Sequence, residues 1–581
     1  MKKKICVLLS LAMVASLAAC GSDAKETKTD AGQSSTSTTE SKTEENAGAA
    51  TEDEGNLGYT YGETFYSDEP VSYTMFWSDH EAYPLADTWE IFDKIAEITN
   101  VTLDIDDYMI ARTDYDEKKA LMINGGQAAY IIPKTYDESA FVDGGAVVAV
   151  SDWAEYMPNY NSFIEAYEME ADIDTIRKAD GKYYRFPGLN EVALQEYTFM
   201  IRKDIFDAAG VDVAALEKTW TWNDLYDALV TVKDYMVSEG MCKESDYIWS
   251  ERWPGDDGSG GNLLKLMGSS YGVPSGWAVK DGMAYDHEKE EWYFASTSED
   301  YKEYITMLNK FIKGGLLDPE SFTQTDEQGC QKFYRGETVM IATNKSTYTD
   351  YMSNLESTLG ADNFELYIAV YPMGSKGYTA ENQRLENGVM ISSKALTELG
   401  EEEFIKLIRF VDWLFYSDEA YDLTKWGVEG QTYEMVKDET TGREIKQLLP
   451  QWYCGGLAIG QTSDDQEDMR IKLGYAGGVL YYAGTAEQVA DAFNPVLQDY
   501  FARVKDYRDL KPLDPAVAGS EDENEQINLW KTPLISNVNS WTLQFAIGQK
   551  DIEADWDAYV SSCENLMSKQ LVDLYNEINQ K

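Results

Sequence analysis

The 581-residue chain contains 103 acidic and 49 basic residues, which gives a formal charge of −54. Proteins that bind nucleic acid need clustered Lys and Arg for the phosphate backbone, so this charge excludes that class of partner. It also disfavours polyanionic ligands unless a locally basic cleft overrides the overall field. Hydrophobic residues at 43% and aromatic residues at 13% are enough for the cores of two large or three ordinary domains.

The first twenty residues are those of an export signal. Lys2 to Lys4 form a basic start, an apolar run follows, and Leu-Ala-Ala-Cys closes the segment at Cys20. The apolar run is shorter than the roughly 20 residues that a membrane-spanning helix needs, and its flanks are those of a secretory signal. The closing four residues resemble the lipobox of bacterial lipoproteins, which implies that Cys20 carries the lipid anchor. An ordinary signal peptide with a cysteine near its cleavage site is the alternative.

Residues 21–58 form a separate segment of low complexity. They are rich in Ser, Thr, Glu, Asp, Lys, Gly and Ala, and the first aromatic residue after them is Tyr59. Such a composition buries too little apolar surface to offset the entropy of ordering the chain. The segment is therefore predicted to be a disordered, acidic tether.

The folded body opens with a strand–helix–strand pattern. Residues 71–77 and 101–105 have strand-like sequences, and between them Asp87 or Thr88 can cap a helix. This order predicts a parallel sheet with a right-handed crossover. Ligands of such sheets lie beyond the carboxyl ends of the strands, where Trp77, Asp79 and His80 are found. Core packing is an equally open interpretation of Trp77.

Further elements follow in order along the chain. Two of them have clear boundaries, because Gly210 ends a short helix and Thr221 caps the start of a longer one. The remaining predictions are strands at 128–132, 197–202 and 364–372, an amphipathic helix at 404–415 and closing helices at 555–578.

Several short motifs occur along the chain in an order that is typical of one protein family. They are Asp180-Gly-Lys-Tyr-Tyr, Ile201-Arg-Lys-Asp, the segment 219–225, Phe333-Tyr-Arg-Gly-Glu-Thr-Val-Met-Ile and Trp426-Gly-Val-Glu-Gly-Gln-Thr-Tyr433. Together they resemble the extracellular solute-binding lipoproteins of carbohydrate ABC importers. The last motif is similar to a segment of the large oligosaccharide branch, often named for aldouronate uptake.

The resemblance implies an α/β fold of two lobes, in which mixed or parallel sheets are flanked by helices and hinge strands join the lobes. Lobe 1 is expected to hold residues 59–187 and 371–422, each lobe having a mostly parallel sheet. Lobe 2 is expected to hold residues 188–370 and 423–581. Ligands of such proteins bind between the lobes and drive hinge closure.

A sugar site needs aromatic faces for the ring and planar polar side chains for the hydroxyls. Loops that combine Trp or Tyr with Gly, Asp or Asn are therefore the candidates, with 249–261 the strongest and 537–541 the weakest. Core packing or loop anchoring is an open alternative for each residue. The predicted ligand-binding residues are Trp77, Asp79, His80, Arg252, Trp253, Asp256, Trp277, Glu429, Tyr433, Trp452 and Asn537.

No metal or cofactor is expected. Some large members of the family carry a calcium loop after the helix that begins near Thr221, but residues 233–240 here lack the spaced oxygen ligands. Outside the signal and the lipobox the cysteines are Cys242, Cys330, Cys454 and Cys563, which are far apart and form no C-x-x-C pair. They are predicted to be mostly buried free thiols, although disulfides remain open.

The resemblance implies a monomeric, lipid-anchored protein on the extracellular face of the cytoplasmic membrane. It would capture an oligosaccharide and deliver it to the permease subunits of an ABC transporter. The alternatives are a peptide-binding importer component and a lipid-anchored glycan-binding adhesin. An enzyme is not expected, because the two histidines lie in no metal or nucleophile motif, although a glycosidase needs only two carboxylates.

Overall fold

The computed structural model describes residues 58–580 apart from 143, 256–257, 382, 438–441, 456–458, 460–464, 478, 481–482 and 492. Cys20, residues 21–57 and Asp256 therefore lie outside the described residues. The strands are β1 (Val71–Thr74), β2 (Trp77–Asp79), β3 (Val101–Asp104), β4 (Met109–Ala111), β5 (Ile131–Thr135), β6 (Phe186–Asn190), β7 (Thr198–Arg202), β8 (Met283–Asp286), β9 (Glu291–Phe294), β10 (Met340–Thr343), β11 (Leu366–Ala369), β12 (Leu385–Ile391), β13 (Tyr433–Lys437), β14 (Glu444–Leu448), β15 (Trp452–Tyr453), β16 (Glu467–Asp468) and β17 (Ala483–Gly484).

The helices are α1 (Ile91–Thr99), α2 (Tyr115–Asn124), α3 (Ser139–Val142), α4 (Pro158–Ala166), α5 (Glu170–Asp174), α6 (Lys203–Ala208), α7 (Val213–Leu216), α8 (Trp222–Ser238), α9 (Gly261–Ser270), α10 (Glu299–Lys313), α11 (Asp326–Tyr334), α12 (Tyr348–Leu359), α13 (Ser393–Leu399), α14 (Glu401–Tyr416), α15 (Asp418–Trp426), α16 (Met469–Leu473), α17 (Ala486–Asp491), α18 (Pro495–Tyr507), α19 (Glu521–Ala546), α20 (Ile552–Asn565) and α21 (Ser568–Asn579). Among the described residues, no helix is long and apolar enough to cross a membrane.

Lobe 1 is built around a mixed sheet. β1 pairs with β3 in parallel from Val71 opposite Val101 to Thr74 opposite Asp104, which confirms the predicted strand–helix–strand unit. β2 pairs with β4, also in parallel. A separate four-stranded sheet has the order β17-β6-β12-β5, with β12 antiparallel to both β5 and β6, and an isolated bridge between Met75 and Ile131 places it beside these pairs. The long helix α14 packs its buried face on this core.

The first helix begins later than its sequence indicates. α1 starts at Ile91, its N-cap residue is Glu90, and no side chain caps it, so the prediction of Asp87 or Thr88 as the cap is wrong. The reason is tertiary. The indole of Trp89 donates to the carbonyl of Ile471 and the backbone N–H of Glu90 donates to Leu473, each at 3.0 Å. Contacts with α16 therefore decide where the helix begins.

Lobe 2 contains an antiparallel sheet rather than the expected parallel one. β7 lies between β10 and β11 and is antiparallel to both. The core around it includes Trp220, Trp222 and Trp249, which are all fully buried. The helix start at Thr221 is confirmed, because Thr221 and Asp224 form a reciprocal capping box at the start of α8.

The C-terminal third packs on both hydrophobic cores. The sequence-based prediction assigned all of residues 423–581 to lobe 2. Buried residues from Trp426 to Leu480 pack in the core of lobe 1. α18 packs beside β7, β10 and β11, and α19 to α21 pack on the lobe 2 core. Residues 537–541 lie inside α19, so the prediction of a loop there is wrong.

Three described segments connect the lobes: 191–197 between β6 and β7, 370–384 between β11 and β12, and 485–494 between β17 and α18. Gln195, which is 2% exposed, joins the first two segments to α18. Its side-chain oxygen accepts from the backbone N–H groups of Ala380 at 2.7 Å and Glu381 at 3.0 Å. Its own carbonyl accepts from the hydroxyl of Tyr500 at 3.0 Å. We call these segments the hinge.

Cys242, Cys330, Cys454 and Cys563 are free thiols, and the last three are buried. The prediction of mostly buried free thiols is confirmed. Burial raises the pKa of the Cys563 thiol to about 11, which leaves it protonated at neutral pH.

Candidate functional site

The main cavity lies where the hinge meets both lobes, and its volume is about 960 Å³. Lobe 1 contributes Lys134, Tyr136 and Arg185, and lobe 2 contributes Lys265, Met283 and Trp292, among others. The hinge contributes Glu196, Tyr197, Glu381 and Gln383 to its wall. A volume of this size is at the upper end for small-molecule sites, which indicates an extended ligand.

Three aromatic rings form a cluster on the lobe 2 side. Tyr197 lines the cavity, and its ring meets those of Trp253 and Trp277 edge to face, with centroids 5.5 and 5.8 Å apart. The two Trp rings lie 6.2 Å from each other. Trp277 is 41% exposed, so part of its face is free to contact a ligand. We call Tyr197, Trp253 and Trp277 the aromatic cluster.

Glycines allow the two Trp-bearing loops to approach each other. A Cβ on Gly261, whose φ is +63°, would lie 1.7 Å from the carbonyl oxygen of Trp253. A Cβ on Gly276, whose φ is +55°, would lie 2.1 Å from the carbonyl oxygen of Gly261. Any other residue at either position would push the loops apart. Trp253 itself has a left-handed φ of 60°, and its N–H donates to Asp326 at 2.8 Å.

Arg252 supports the cluster from behind. Its guanidinium carbon lies 4.4 Å from the ring centroid of Trp253, and one of its nitrogens donates to the hydroxyl of Tyr351 at 3.3 Å. A cation over an aromatic face stabilises the ring orientation. Arg252 therefore positions Trp253 within the cluster.

Tyr136 is the exposed aromatic residue of the opposite wall. It lines the cavity from lobe 1, directly after β5, and is 56% exposed. It is not among the residues predicted from sequence. The carboxyl-end rule applied to β2 applies equally to β5, and the predicted strand at 128–132 ended three residues before the observed one.

Charged side chains line much of the cavity, and several of them form ion pairs. Lys265 pairs with Glu381, Lys345 with Glu196, and Lys511 with Asp514. The basic lining residues are Lys134, Arg185, Lys265, Lys280, Lys345, Lys425 and Lys511, and the acidic ones are Asp172, Glu196, Asp281, Glu381, Glu386 and Asp514. Acids outnumber bases more than twofold in the whole chain but not here. The cavity is thus basic relative to the rest of the protein.

The three predicted residues at the end of β2, Trp77, Asp79 and His80, lie outside the cavity lining. Trp77 is 3% exposed and packs on Phe92 at 5.2 Å. Asp79 accepts a hydrogen bond from the backbone of Leu85 at 2.8 Å. The ring of His80 stacks on that of Tyr83 at 4.4 Å.

The other predicted residues are spread over both lobes. Glu429 is exposed, Tyr433 is buried against Trp426, and the indole of Trp452 donates to the carbonyl of Gln431 at 2.9 Å. Asn537 lies on α19 and donates to the hydroxyl of Ser562 at 2.8 Å. The structure thus brings together Arg252, Trp253 and Trp277 but not these, and the three lie behind the lining residue Tyr197 rather than in the cavity wall. A ligand role for any predicted residue stays a prediction.

No group of three or more His, Cys, Asp or Glu side chains within the described residues is arranged to hold a metal ion. The wall of the cavity includes aromatic rings, side-chain amides and charged groups, some of which are paired. Such groups bind and orient a polar ligand.

Two lobes that are joined by a hinge and share a cavity define a ligand-binding protein of the two-lobed type. Residues 90–407, more than half of the chain, match the model of the bacterial extracellular solute-binding proteins, and the chain belongs to this family. The sequence matches no curated protein. Membership of this family confirms the predicted two-lobed fold.

Solved structures have the same fold. An extracellular solute-binding protein from Bifidobacterium longum subsp. infantis superposes with a TM-score of 0.64 at 14% identity, over 89% of this chain and 99% of that one. The alginate-binding protein AlgQ2 gives 0.62 at 16% identity, over 89% and 99%. FusA of S. pneumoniae in complex with kestose gives 0.57 at 16% identity, over 88% and 99%.

Proposed function

We propose that this protein is the substrate-binding component of an ABC importer and that it captures an oligosaccharide between its lobes. The observation that carries the proposal is a polar cavity of about 960 Å³ between the lobes, lined by the exposed Tyr136 on lobe 1 and by Tyr197, whose ring contacts the partly exposed Trp277 of lobe 2. Proteins of the same fold are described as binding alginate and kestose. The protein acts by binding and release rather than by catalysis.

The chemistry of the wall fits a sugar. A pyranose has an apolar C–H face that packs on aromatic rings, and Tyr and Trp combine such a face with a polar edge. Its hydroxyls donate to and accept from ionised side chains, which form stronger hydrogen bonds than neutral groups. Ion pairs such as that of Lys265 with Glu381 hold these side chains in place at the cavity.

The finer parts of the proposal come from the sequence. The lipobox places a lipid anchor on Cys20, residues 21–58 form the tether, and the monomeric body lies on the extracellular face of the membrane. The closed lobes then dock on the permease subunits. The two lobes follow the bounds given above, except that residues 423–480 are assigned to lobe 1.

The test is thermal unfolding of residues 21–581 with a panel of neutral, uronic and sulfated oligosaccharides and short peptides. A ligand at 100 times its dissociation constant adds about 2.7 kcal/mol to the free energy of unfolding, which is a clear upward shift. A shift with one glycan series is expected. A shift with peptides alone would replace the sugar by a peptide as the substrate.

Transport is tested separately. Deleting the cognate permease is expected to abolish glycan uptake by cells while purified protein binds as before. Uptake that persists without the permease would favour the adhesin alternative.

A further inference from the structure

One part of the cavity wall is built by the β8–β9 hairpin of lobe 2 and the last helix. Tyr285 on β8 lies opposite Trp292 on β9. α21 packs on this hairpin, and the ring of its Tyr575 lies 5.3 Å from that of Trp292. Met283, Trp292 and Tyr575 all line the cavity and are nearly fully buried. The hairpin and α21 thus give this part of the wall an aromatic base.

An irregular segment completes this part of the wall. Residues 509–519 lie between α18 and α19, and we call them the strap. Asp514 of the strap lies 3.3 Å from His287 at the turn of the hairpin. A Cβ on Gly519 would lie 3.1 Å from Ile578 of α21, so the strap passes both elements. Its half-buried apolar residues that line the cavity are Leu513, Pro515, Ala516 and Val517.

These side chains form an apolar patch in a wall that otherwise carries many charges. Val517 packs on the same core as Met283 and Trp292. The two lining carboxylates nearest in sequence are satisfied within the protein, because Asp281 accepts from the hydroxyl of Tyr575 and Asp514 pairs with Lys511. A ligand group that enters here therefore meets mainly apolar carbon. We call Met283, Trp292, Leu513 and Val517 the apolar patch.

The apolar patch contains a buried polar atom without a partner. The indole Nε1 of Trp292 forms no hydrogen bond within the described residues. The ring itself is held in place by its contacts with Tyr285 at 5.4 Å and Tyr575 at 5.3 Å. Asn576 fixes the backbone of Trp292, accepting from its N–H at 2.8 Å and donating to its carbonyl at 2.9 Å. A buried donor without an acceptor costs about 1–3 kcal/mol, so this rigidly held N–H is suited to a ligand oxygen.

The strap is the part of this wall that can move to admit a ligand. Residues 513–518 take part in no backbone–backbone hydrogen bond with any described residue. The hairpin and α21, in contrast, are regular hydrogen-bonded elements. Segments with few backbone hydrogen bonds open at a low cost in free energy. A ligand therefore reaches the indole N–H by displacing the strap, while the aromatic base stays in place.

We propose that the apolar patch is a subsite for a short acyl group on the glycan, an acetamido group or an acetyl ester. The acyl oxygen accepts from the indole N–H of Trp292, and the methyl group packs on Met283, Leu513 and Val517. A carbonyl accepts without donating, whereas a sugar hydroxyl also brings a hydrogen that needs an acceptor of its own. The inference rests on the proposed function and narrows its substrate to acylated oligosaccharides.

The test uses pairs of glycans that differ only in their acyl groups. N-acetylchito-oligosaccharides are paired with cello-oligosaccharides, which carry a hydroxyl in place of each acetamido group. Acetylated xylo-oligosaccharides are paired with the same mixture after alkaline deacetylation. Dissociation constants are measured by calorimetry for residues 21–581, for Trp292→Phe and for the control Trp541→Phe. Trp541 lies on α19 with its ring 5.8 Å from that of Tyr559, so the control makes the same change elsewhere in lobe 2.

The wild type is expected to bind the acylated member of one pair about tenfold more tightly than its partner. Trp292→Phe keeps an aromatic ring and removes only an N–H that has no partner in the protein, so the variant should fold. It should weaken binding of the acylated glycan about 2- to 10-fold, as expected for one hydrogen bond, and leave the other member unchanged. Trp541→Phe should change neither.

The comparison within each pair on the wild type separates this inference from the proposed function. Equal binding within both pairs, tighter binding of the unacylated members, or binding confined to unacylated glycans of the thermal-unfolding panel would overturn the inference alone. Binding of no glycan in either experiment would overturn both.

A second measurement follows the indole N–H directly. Its NMR signal is the one that disappears from the spectrum of Trp292→Phe. A bound acylated glycan is expected to move this signal downfield, because the N–H gains an acceptor, and the unacylated partner should leave it in place. If the signal does not move in protein saturated with an acylated glycan, the acyl group lies elsewhere and the inference fails.

Discussion

At the scale of single residues, the rings of the aromatic cluster differ in exposure. Trp253 is held by its neighbours, whereas Trp277 is accessible to solvent. Trp253 packs against Arg252, Tyr197 and Trp277, and its backbone is fixed by Asp326. Trp277 keeps 41% of its surface exposed. We therefore expect a ligand to reach Tyr197 and Trp277 before Trp253, which would act through these two rings.

Trp277→Ala is expected to weaken glycan binding by about 1–3 kcal/mol, by analogy with the loss of a nucleic-acid base stacked on an aromatic ring. Its effect on the free energy of unfolding should be small, because the ring is partly exposed. Calorimetric titration measures the first quantity and urea unfolding the second. The control is Tyr61→Ala, which removes a ring that is 62% exposed and lies outside the aromatic cluster. Unchanged affinity in Trp277→Ala would remove the ring from the site.

Glu251, next to Arg252, is a buried carboxyl that predicts a pH dependence of stability. It is 1% exposed, and burial raises its pKa to about 8, although it accepts hydrogen bonds from Trp249 at 2.5 Å and Ala342 at 2.9 Å. The folded state therefore holds a proton that the unfolded state, with an ordinary pKa, has lost. This contribution to stability is complete below pH 4.5 and disappears as the pH rises through 8.

Between pH 6 and 8 this group alone is expected to lower the free energy of unfolding by about 2 kcal/mol. Urea unfolding at several pH values measures the slope. Glu251→Gln cannot titrate, so its slope should be less negative than that of the wild type even though the variant is less stable. Parallel slopes for the two proteins would contradict the assignment.

At the scale of elements, the hinge segments depend on one another through Gln195. The side chain takes hydrogen bonds from two backbone N–H groups of the segment 370–384. The hydroxyl of Tyr500 on α18 donates to the Gln195 carbonyl, so α18 takes part in the same contact. The segments 191–197 and 370–384 are thus expected to move together with α18 when the lobes close.

Gln195→Ala is expected to leave the N–H groups of Ala380 and Glu381 without their acceptor. The cost is at most about 1–3 kcal/mol for each donor, the value for a fully buried group, because Ala380 and Glu381 are half-buried. Urea unfolding measures the loss, and exchange of these two amides with deuterium should become faster. The matched control is Gln127→Ala at an exposed position. Equal stability of the two variants would show that the hinge does not rely on this side chain.

At the scale of the whole molecule, the cavity is bounded by both lobes, so ligand binding and lobe closure are linked. A ligand shifts the open–closed equilibrium only by the difference in its affinity for the two states. Contacts with Tyr136 and Trp277 at once are possible only when both lobes face the ligand. The bound protein is therefore expected to be the closed one.

Small-angle X-ray scattering of residues 21–581 should show a smaller radius of gyration with the bound glycan than without it. Trp277→Ala at a saturating glycan concentration should close less completely, because one of the two contacts is missing. The ligand-free wild type serves as the reference for both. An unchanged radius in a protein that calorimetry shows to be saturated would contradict closure.

Local signals in the sequence were enough for many elements and for the family. The capping box at Thr221, the strand–helix–strand unit at 71–105 and the strand at 198–202 depend on neighbours within a few residues or on simple periodicity. The order of motifs from Asp180 to Tyr433 indicated the two-lobed fold. The loops carrying Trp253 and Trp277 were recognised because glycines next to aromatic residues rarely build a core.

Only the tertiary structure decided which of these parts meet. Periodicity shows that a face is buried but not against which partner, so residues 423–480 were assigned to the wrong side of the hinge and Asn537 to a loop. Tyr136 follows β5, which a bridge between Met75 and Ile131 places beside β2 although dozens of residues separate the two strands along the chain. Its position at the cavity arises from sheet pairing, which depends on long-range contacts that no local pattern records. The sequence by itself determined the family and most helices and strands, and the tertiary structure determined the composition and charge of the site.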